Sequence, residues 1–279
     1  MSEFIDLGSV GKVSEPMEFS YTWKDVVLYA LGIGAGNDEL EFVYEKKLKV
    51  YPTFAAIVAQ PALGWALFEA KVDFTRLLHA GHKIVLYKEI PTEGKLTTVA
   101  KITNIYDKVK HALMVVEAET RDEKGERVCD NIASFIVRGA GGFGGERGPK
   151  AGNEPPEGRE PDFRDELVTS KDQNVIYRLS GDINPLHIDP EFAKLAGFER
   201  PILHGLCTYG FACRSILRKV CDNDPSRLKS FEVRFSGVVY PGDTIITEGW
   251  KVDEGKYIIR SKNQRGDVVL SNAAAEIKQ

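Results

Sequence analysis

The chain has 279 residues, 43% of them hydrophobic, and a formal net charge of −4. That is enough apolar material for one large or two modest cores, and so mild an acidity gives no footing for nucleic acid or an anionic membrane as a partner. No uninterrupted apolar run approaches the length of a bilayer span. The four cysteines (Cys129, Cys207, Cys213, Cys221) make no CxxC pair and read as reduced, buried thiols of an intracellular protein, not as a disulfide framework or zinc site.

Taken in chain order, Met1–Asp6 has neither a basic n-region nor an apolar core, which speaks against a signal peptide. Val27–Gly32 and Phe54–Phe68 are helical in pattern, the second interrupted by Pro61. Strand-like stretches follow at Lys71–Leu78, Lys83–Glu89, Lys95–Tyr106, Ala112–Thr120 and Arg127–Val137, rich in β-branched residues and separated by turn residues. Gly139–Pro149 then opens a stretch rich in Gly, Pro and charge that runs to about Pro161. It contains neither GxxxxGK[ST] nor GxGxxG entering a helix, so it reads as a linker and not a phosphate cradle. The division is 1–148, a linker at 149–162, and 163–279.

The second part begins with a helical Val175–Ser180 that parallels Val27–Gly32. Beyond it, Gly181-Asp182-Ile183-Asn184-Pro185-Leu186-His187 places a carboxylate, an amide and an imidazole within six residues. Gly181 permits a sharp turn, and Pro185 fixes its own backbone and biases Asn184 toward extended geometry. Asp189 is a good N-cap and Pro190 suits the first helical position. An acid and a base on either side of one water could split it during a reaction; Asp-x-Asn-Pro equally suits an Asx-turn that caps a helix. Leu203–Cys221 is a long, mostly apolar run suited to a buried central helix. Strand-like stretches at Ser230–Tyr240, Thr244–Val252, Lys256–Ser261 and Val268–Ile277 complete the chain, and Phe235–Gly242 parallels Phe74–Gly81. The two halves therefore repeat one order, helices then strands, which predicts an α+β architecture with each antiparallel sheet wrapped on a helix. The first half carries Gly34, Gly36 and Glu39 where the second has Asp182, Asn184 and His187, so it should lack the acid–base set.

Tyr177–His187, the Ala196-Gly197-Phe198 step, Pro201–Phe211 and Arg234–Gly242 together resemble the 2-enoyl-CoA hydratase 2 family, the R-specific hydratases related to MaoC-like dehydratases. The whole length resembles the hydratase part of the eukaryotic, peroxisomal multifunctional members. The resemblance implies a double hot-dog fold whose N-terminal repeat has an interrupted central helix and has lost its chemistry, the vacated space near Trp65 and Phe68 taking long acyl chains. It implies that Asp182, Asn184 and His187 hold the catalytic water and that Gly205 supplies an oxyanion N–H. It further implies substrate contacts from His79, Ala80, Lys108 and Phe235, and from Ile183, Pro185 and Leu186 of the motif itself. A homodimer, fusion to a dehydrogenase portion and a peroxisomal address are implied too, although Ile277-Lys278-Gln279 is not of the Ser-Lys-Leu type.

From the residues up, hydrating an enoyl thioester needs an activated water, a proton for the α-carbon, and donors for the enolate-like oxygen. Asp182 and His187 can serve the first two needs, with Asn184 orienting the water through a side chain that does not titrate. Gly205, at the opening of the central helix, can serve the third with a peptide N–H that nothing shields. The five histidines are scattered along the chain, which implies no metal. No cofactor is expected beyond the CoA of the substrate. His204 reads as a neighbour of the site, and His82 and His111 as surface residues. A hot-dog thioesterase and a non-catalytic acyl-CoA carrier are the alternatives; thiol release marks the first, and an intact Asp182–His187 pair argues against the second.

Overall fold

Along Arg127–Arg138 buried and half-buried positions alternate almost without a break, the period expected of a strand with one face on a core. Ten such strands among the described residues make the frame. The structure is a computed structural model that describes residues 3–150 and 152–278; Met1, Ser2, Gln279 and Ala151, the last within the expected linker, lie outside the described residues. In chain order the first half runs β1 (Met17–Tyr21), α1 (Trp23–Gly32), α2 (Ala55–Glu69), β2 (Leu77–Leu86), β3 (Gly94–Asp107), β4 (His111–Asp122) and β5 (Arg127–Arg138). The second runs β6 (Phe163–Val168), α3 (Gln173–Tyr177), α4 (Pro190–Leu195), α5 (Gly205–Val220), β7 (Leu228–Phe235), β8 (Thr244–Asp253), β9 (Lys256–Asn263) and β10 (Val268–Ile277).

All ten strands join one antiparallel sheet in the order β1-β3-β4-β5-β2-β7-β10-β9-β8-β6. Each half contributes five, and the seam is the β2–β7 pair, where Lys83 lies opposite Glu232. Each half is thus a hot dog, a sheet wrapped on one long helix. Corresponding elements start 150 residues apart: Trp23 and Gln173, Ala55 and Gly205, Gly94 and Thr244. The parallel between Phe74–Gly81 and Phe235–Gly242 is therefore out of register. Phe74–Arg76 is a single 3-10 turn before β2, whereas Phe235 ends β7. The expected strands Lys71–Leu78 and Lys83–Glu89 are really one, β2. β1 and β6 were not anticipated; each is a short edge strand.

The central helices differ from expectation in one respect. Pro61 does not interrupt α2, which runs as 15 continuous residues. Proline removes one N–H from the helix ladder and crowds the carbonyl four residues back. Here its ring points to solvent, while Ala59, Ala62, Leu63, Ala66 and Ala70 bury the opposite face against Ala100, Ala112, Ala118 and Ala133 of the sheet. Small residues on both sides let helix and sheet approach closely, and that packing holds the two turns in line. Phe68 is 71% exposed and tilts against Phe74 at 5.1 Å, so it lines no vacated interior.

The loop after α1 crosses onto the other half. Glu39 and Arg214 of α5 form a buried ion pair, 2% and 4% exposed. Arg214 Nη1 also donates to the Ile33 carbonyl at 2.9 Å, and the Tyr51 hydroxyl donates to Glu39 at 3.0 Å. His82 of β2, expected at the surface, is 2% exposed. Its Nε2 meets Asn131 Oδ1 at 2.9 Å, and the Asn131 amide donates to the Ala55 carbonyl at the head of α2. An amide oxygen can only accept, so His82 carries its proton on Nε2. Its side chain sits inward because β2 alternates, with His82, Ile84 and Leu86 buried while Lys83 and Val85 take the more exposed face. His111, half-buried, accepts from the Gly139 N–H.

Two measurements test this frame. Glu39→Gln leaves a buried cation without its counter-charge and should cost about 3–5 kcal/mol in urea unfolding, whereas Glu39→Met with Arg214→Met should recover most of that. A double variant as unstable as the single one would assign the loss to packing. Burial also pushes the imidazoles of His79 and His82 down, to about 3 and about 4. Between pH 6.5 and pH 4 the unfolded chain therefore binds protons that the folded one refuses, and stability falls as pH drops through that window. His82→Gln should remove one proton from that dependence, about 1.4 kcal/mol per pH unit. An unchanged slope would mean that His82 titrates normally.

Candidate active site

The segment after α3 is held from below. Asn174 Nδ2 donates to the His187 carbonyl at 2.6 Å, and Gln173 Nε2 reaches the Leu31 and Gly32 carbonyls at the end of α1. Gly181 turns the chain at φ 133°, a region that side chains avoid. A Cβ there would stand 2.7 Å from Gln60 Oε1 of α2, so the turn is closed by the other half's helix. Next comes a 3-10 turn over Pro185–His187, with the Asn184 side chain accepting from the Leu186 N–H at 3.0 Å and Asp182 Oδ1 accepting from the Asn184 N–H at 3.2 Å. The Asx-turn reading of this stretch therefore holds, and it coexists with the chemical one. The turn consumes one lone pair of the Asn184 oxygen and leaves its amide donor free.

The turn delivers His187 inward, 8% exposed, while Ile183 is 70% exposed and Asn184 and Pro185 face solvent. His187 Nδ1 lies 2.9 Å from the Ile202 carbonyl. A carbonyl only accepts, so Nδ1 carries the proton and Nε2 keeps a free lone pair. His204, the N-cap of α5, reaches back: its Nε2 donates to the Asp182 carbonyl at 3.1 Å. The two imidazoles stack with centroids 3.8 Å apart, and Tyr177 backs His204 at 4.8 Å. Burial depresses the proton affinity of His187, opposed by the Asp182 carboxylate and the Ile202 carbonyl. His204 is pushed down to about 3 by burial first, then by His187. Both rings are neutral at neutral pH.

Asp182, His187 and His204 bring ligating atoms within 4.8 Å of one another, so two histidines far apart in sequence meet in space. Among the described residues they are the group that could close on a metal ion. Gly205 opens α5, where geometry leaves the first N–H groups without helical partners. A Cβ on Gly205 would meet the Phe235 ring at 3.2 Å, and Phe235 packs edge-on to His79 at 5.0 Å. His79 also stacks on Phe135, and its Nε2 is buried without a partner. Ala80 occupies the bulge between His79 and Gly81, where β2 slips register against β5. Asp182, His187, Gly205, Phe235, His79 and Ala80 thus fall in one neighbourhood along the joint of the two halves. Ile183 and Leu186 stand at its rim. Lys108 does not join them: it lies in the β3–β4 turn, hydrogen-bonded to the Arg147 and His111 carbonyls and over the Tyr106 ring. A separate cavity of about 230 Å³, lined by Lys49, Pro52, Lys88, Ile90 and Pro225, contains none of these residues.

Several site residues carry no sequence signal of their own. Gln60 and Asn174 are ordinary helix positions, and only the fold brings one to Gly181 and the other to the His187 carbonyl. His204 could be suspected from its place before Gly205, but its contact with Asp182 spans 22 residues.

Known proteins agree on what this is. Residues 152–274 match the MaoC like domain and residues 19–139 the MFE-2 hydratase 2 N-terminal domain. A Dictyostelium discoideum protein named probable enoyl-CoA hydratase 2 is 47% identical over 277 residues, which is 95% of this chain and 93% of that one. Mouse peroxisomal multifunctional enzyme type 2 is 42% identical over 283 residues, 97% of this chain but 38% of that enzyme's length. The crystal structure of a MaoC-like dehydratase from Phytophthora capsici superposes with a TM-score of 0.86 at 30% identity, covering 98% of both chains. With both halves matched, the chain belongs to the MaoC-like enoyl-CoA hydratase 2 family.

Proposed function

We propose that the protein hydrates trans-2-enoyl-CoA to 3-hydroxyacyl-CoA, reversibly, as a hydro-lyase of fatty acid β-oxidation. The observation that carries this reading is His187 held neutral with Nε2 bare, beside the Asp182 carboxylate and stacked on His204, the residue that precedes Gly205. A water between Asp182 and His187 gives its oxygen to the β-carbon and one proton to the pair. The pair returns one proton to the α-carbon, so that one water is added and the catalyst is restored. During the step, charge builds on the thioester oxygen, where the Gly205 N–H and the α5 dipole stabilise it. No cofactor beyond the CoA of the substrate is needed, because both proton transfers are met by side chains.

The finer reading follows the family. The product is the 3R alcohol; the first half (1–148) shapes the acyl and CoA site; the linker spans 149–162 and the second half (163–279) carries the chemistry. His79, Ala80 and Phe235 face the thioester and its pantetheine arm, and Ile183, Pro185 and Leu186 line the entrance. Lys108 reaches a CoA phosphate only if it leaves the Arg147 carbonyl. The protein works in the peroxisome as a homodimer, and in multifunctional relatives such a unit accompanies a dehydrogenase.

Loss of enoyl-thioester ultraviolet absorbance measures the reaction, and chiral analysis of the product its stereochemistry. Asp182→Ala and His187→Ala should each lower kcat by about 10²–10⁴. The double variant should lose far less than the product of the two, because both serve one water. The acid limb of kcat/KM should lie below the ordinary imidazole value of about 6.5, since His187 must be neutral to accept a proton and burial favours that form. Near-normal turnover in either variant would sink the assignment. Release of free thiol in place of hydration would select the thioesterase reading.

A further inference from the structure

We propose that His204 is a positioning residue that holds Asp182 and His187 in register with each other and with the Gly205 N–H. This rests on the hydratase reading and goes beyond it, because His204 itself touches no reacting atom. Three contacts carry it. The His204 Nε2–H is given to the Asp182 carbonyl at 3.1 Å, which ties down the turn bearing the carboxylate. Its ring lies on the His187 ring at 3.8 Å and 29°, which fixes the plane in which the bare Nε2 points. It is also the N-cap of α5, bonded through the chain to Gly205. One residue therefore joins all three parts of the site, two through its side chain and the third through the chain.

The contacts exclude a proton-transfer role. The Nε2 proton is committed to a carbonyl, and Nδ1 is buried without a partner. A second proton would place an unsolvated cation against His187, with Arg178 adding to the repulsion. The buried Tyr177 ring tilts against His204 at 4.8 Å, so His204 cannot swing away without disturbing the core. A neutral, doubly clamped imidazole is a pin. The catalytic benefit of a pin is geometric: misplacing a reacting group by about 1 Å can cost about 10²-fold in rate.

The test uses the whole protein and two substitutions. His204→Phe keeps a ring for the stack and removes the donor to Asp182; His204→Gln keeps a donor and removes the ring. We expect His204→Phe to lower kcat by about 10²-fold, with KM nearly unchanged and both limbs of the pH–rate profile where they were. His204→Gln should recover part of that loss. In the wild type, ring-nitrogen NMR should show His204 protonated on Nε2 only, without titrating between pH 5 and 8; this readout survives even if a variant misfolds. Wild-type turnover in His204→Phe, a lost pH limb, or titration of His204 in that window would each overturn the proposal. Thiol release by the wild type would instead refute the hydratase reading, and it would be seen before any variant is compared.

Discussion

Two hydrogen bonds to backbone carbonyls, running in opposite directions, hold the site together. His187 in the loop donates to Ile202 ahead of α5, and His204 at the head of α5 donates to Asp182 in the loop. Each bond satisfies a carbonyl that the irregular backbone leaves without a strand or helix partner. Each also dictates a tautomer, so the polar satisfaction of the loop and the chemical state of its imidazoles are one requirement. Because both rings are buried, these bonds act in a low dielectric, where a bond is stronger and an unpaired group costs more. The geometry of the candidate site follows from the need to close the fold around two neutral histidines.

The rest of the molecule keeps that latch from drifting. A row of aromatic rings runs from Phe54 before α2 through Tyr29 of α1 and Tyr177 of α3 to His204 and His187. Edge and stacked pairs of this kind add about 0.5–1.5 kcal/mol each beyond the area they bury. The first half supports the second at two places: Gln60 closes the Gly181 turn, and Glu39 grips Arg214 of the second half's helix. The first-half loop equivalent to the Asp182–His187 loop has thus not fallen idle. Where the second half's loop presents the His187 imidazole, the first half's presents a carboxylate, Glu39, that neutralises a buried guanidinium and fastens the halves together.

How far the sequence could be read varies with the physics behind each feature. Strands from Gly94 onward other than β6, and the helix at Gly205–Val220, were legible because alternation and apolar length are local signals. The Asp182–His187 cluster was legible because Gly181 and Pro185 leave the backbone few choices. Pro61 misled: intrinsic propensity forbids it in a helix, and tertiary packing of an alanine-lined face outweighed propensity. His82 misled because it fell between two expected strands that are one, and in the continuous β2 it takes the buried side of the pleat with Ile84 and Leu86. The contacts of His204 with Asp182, and of Gln60 with Gly181, join residues 22 and 121 positions apart. No periodicity or spacing encodes such a pairing; it appears only once two helices share one sheet.

The central claim is that one oxygen sits between Asp182 and His187 while another faces Gly205. A crystal structure of the protein with bound 3-hydroxyacyl-CoA measures this directly. The account predicts the 3-hydroxyl oxygen within about 3.2 Å of both the Asp182 carboxylate and His187 Nε2, and the thioester oxygen at a similar distance from the Gly205 nitrogen. A hydroxyl beyond about 3.5 Å from either side chain, or a His187 ring turned so that Nδ1 faces the substrate, would contradict it.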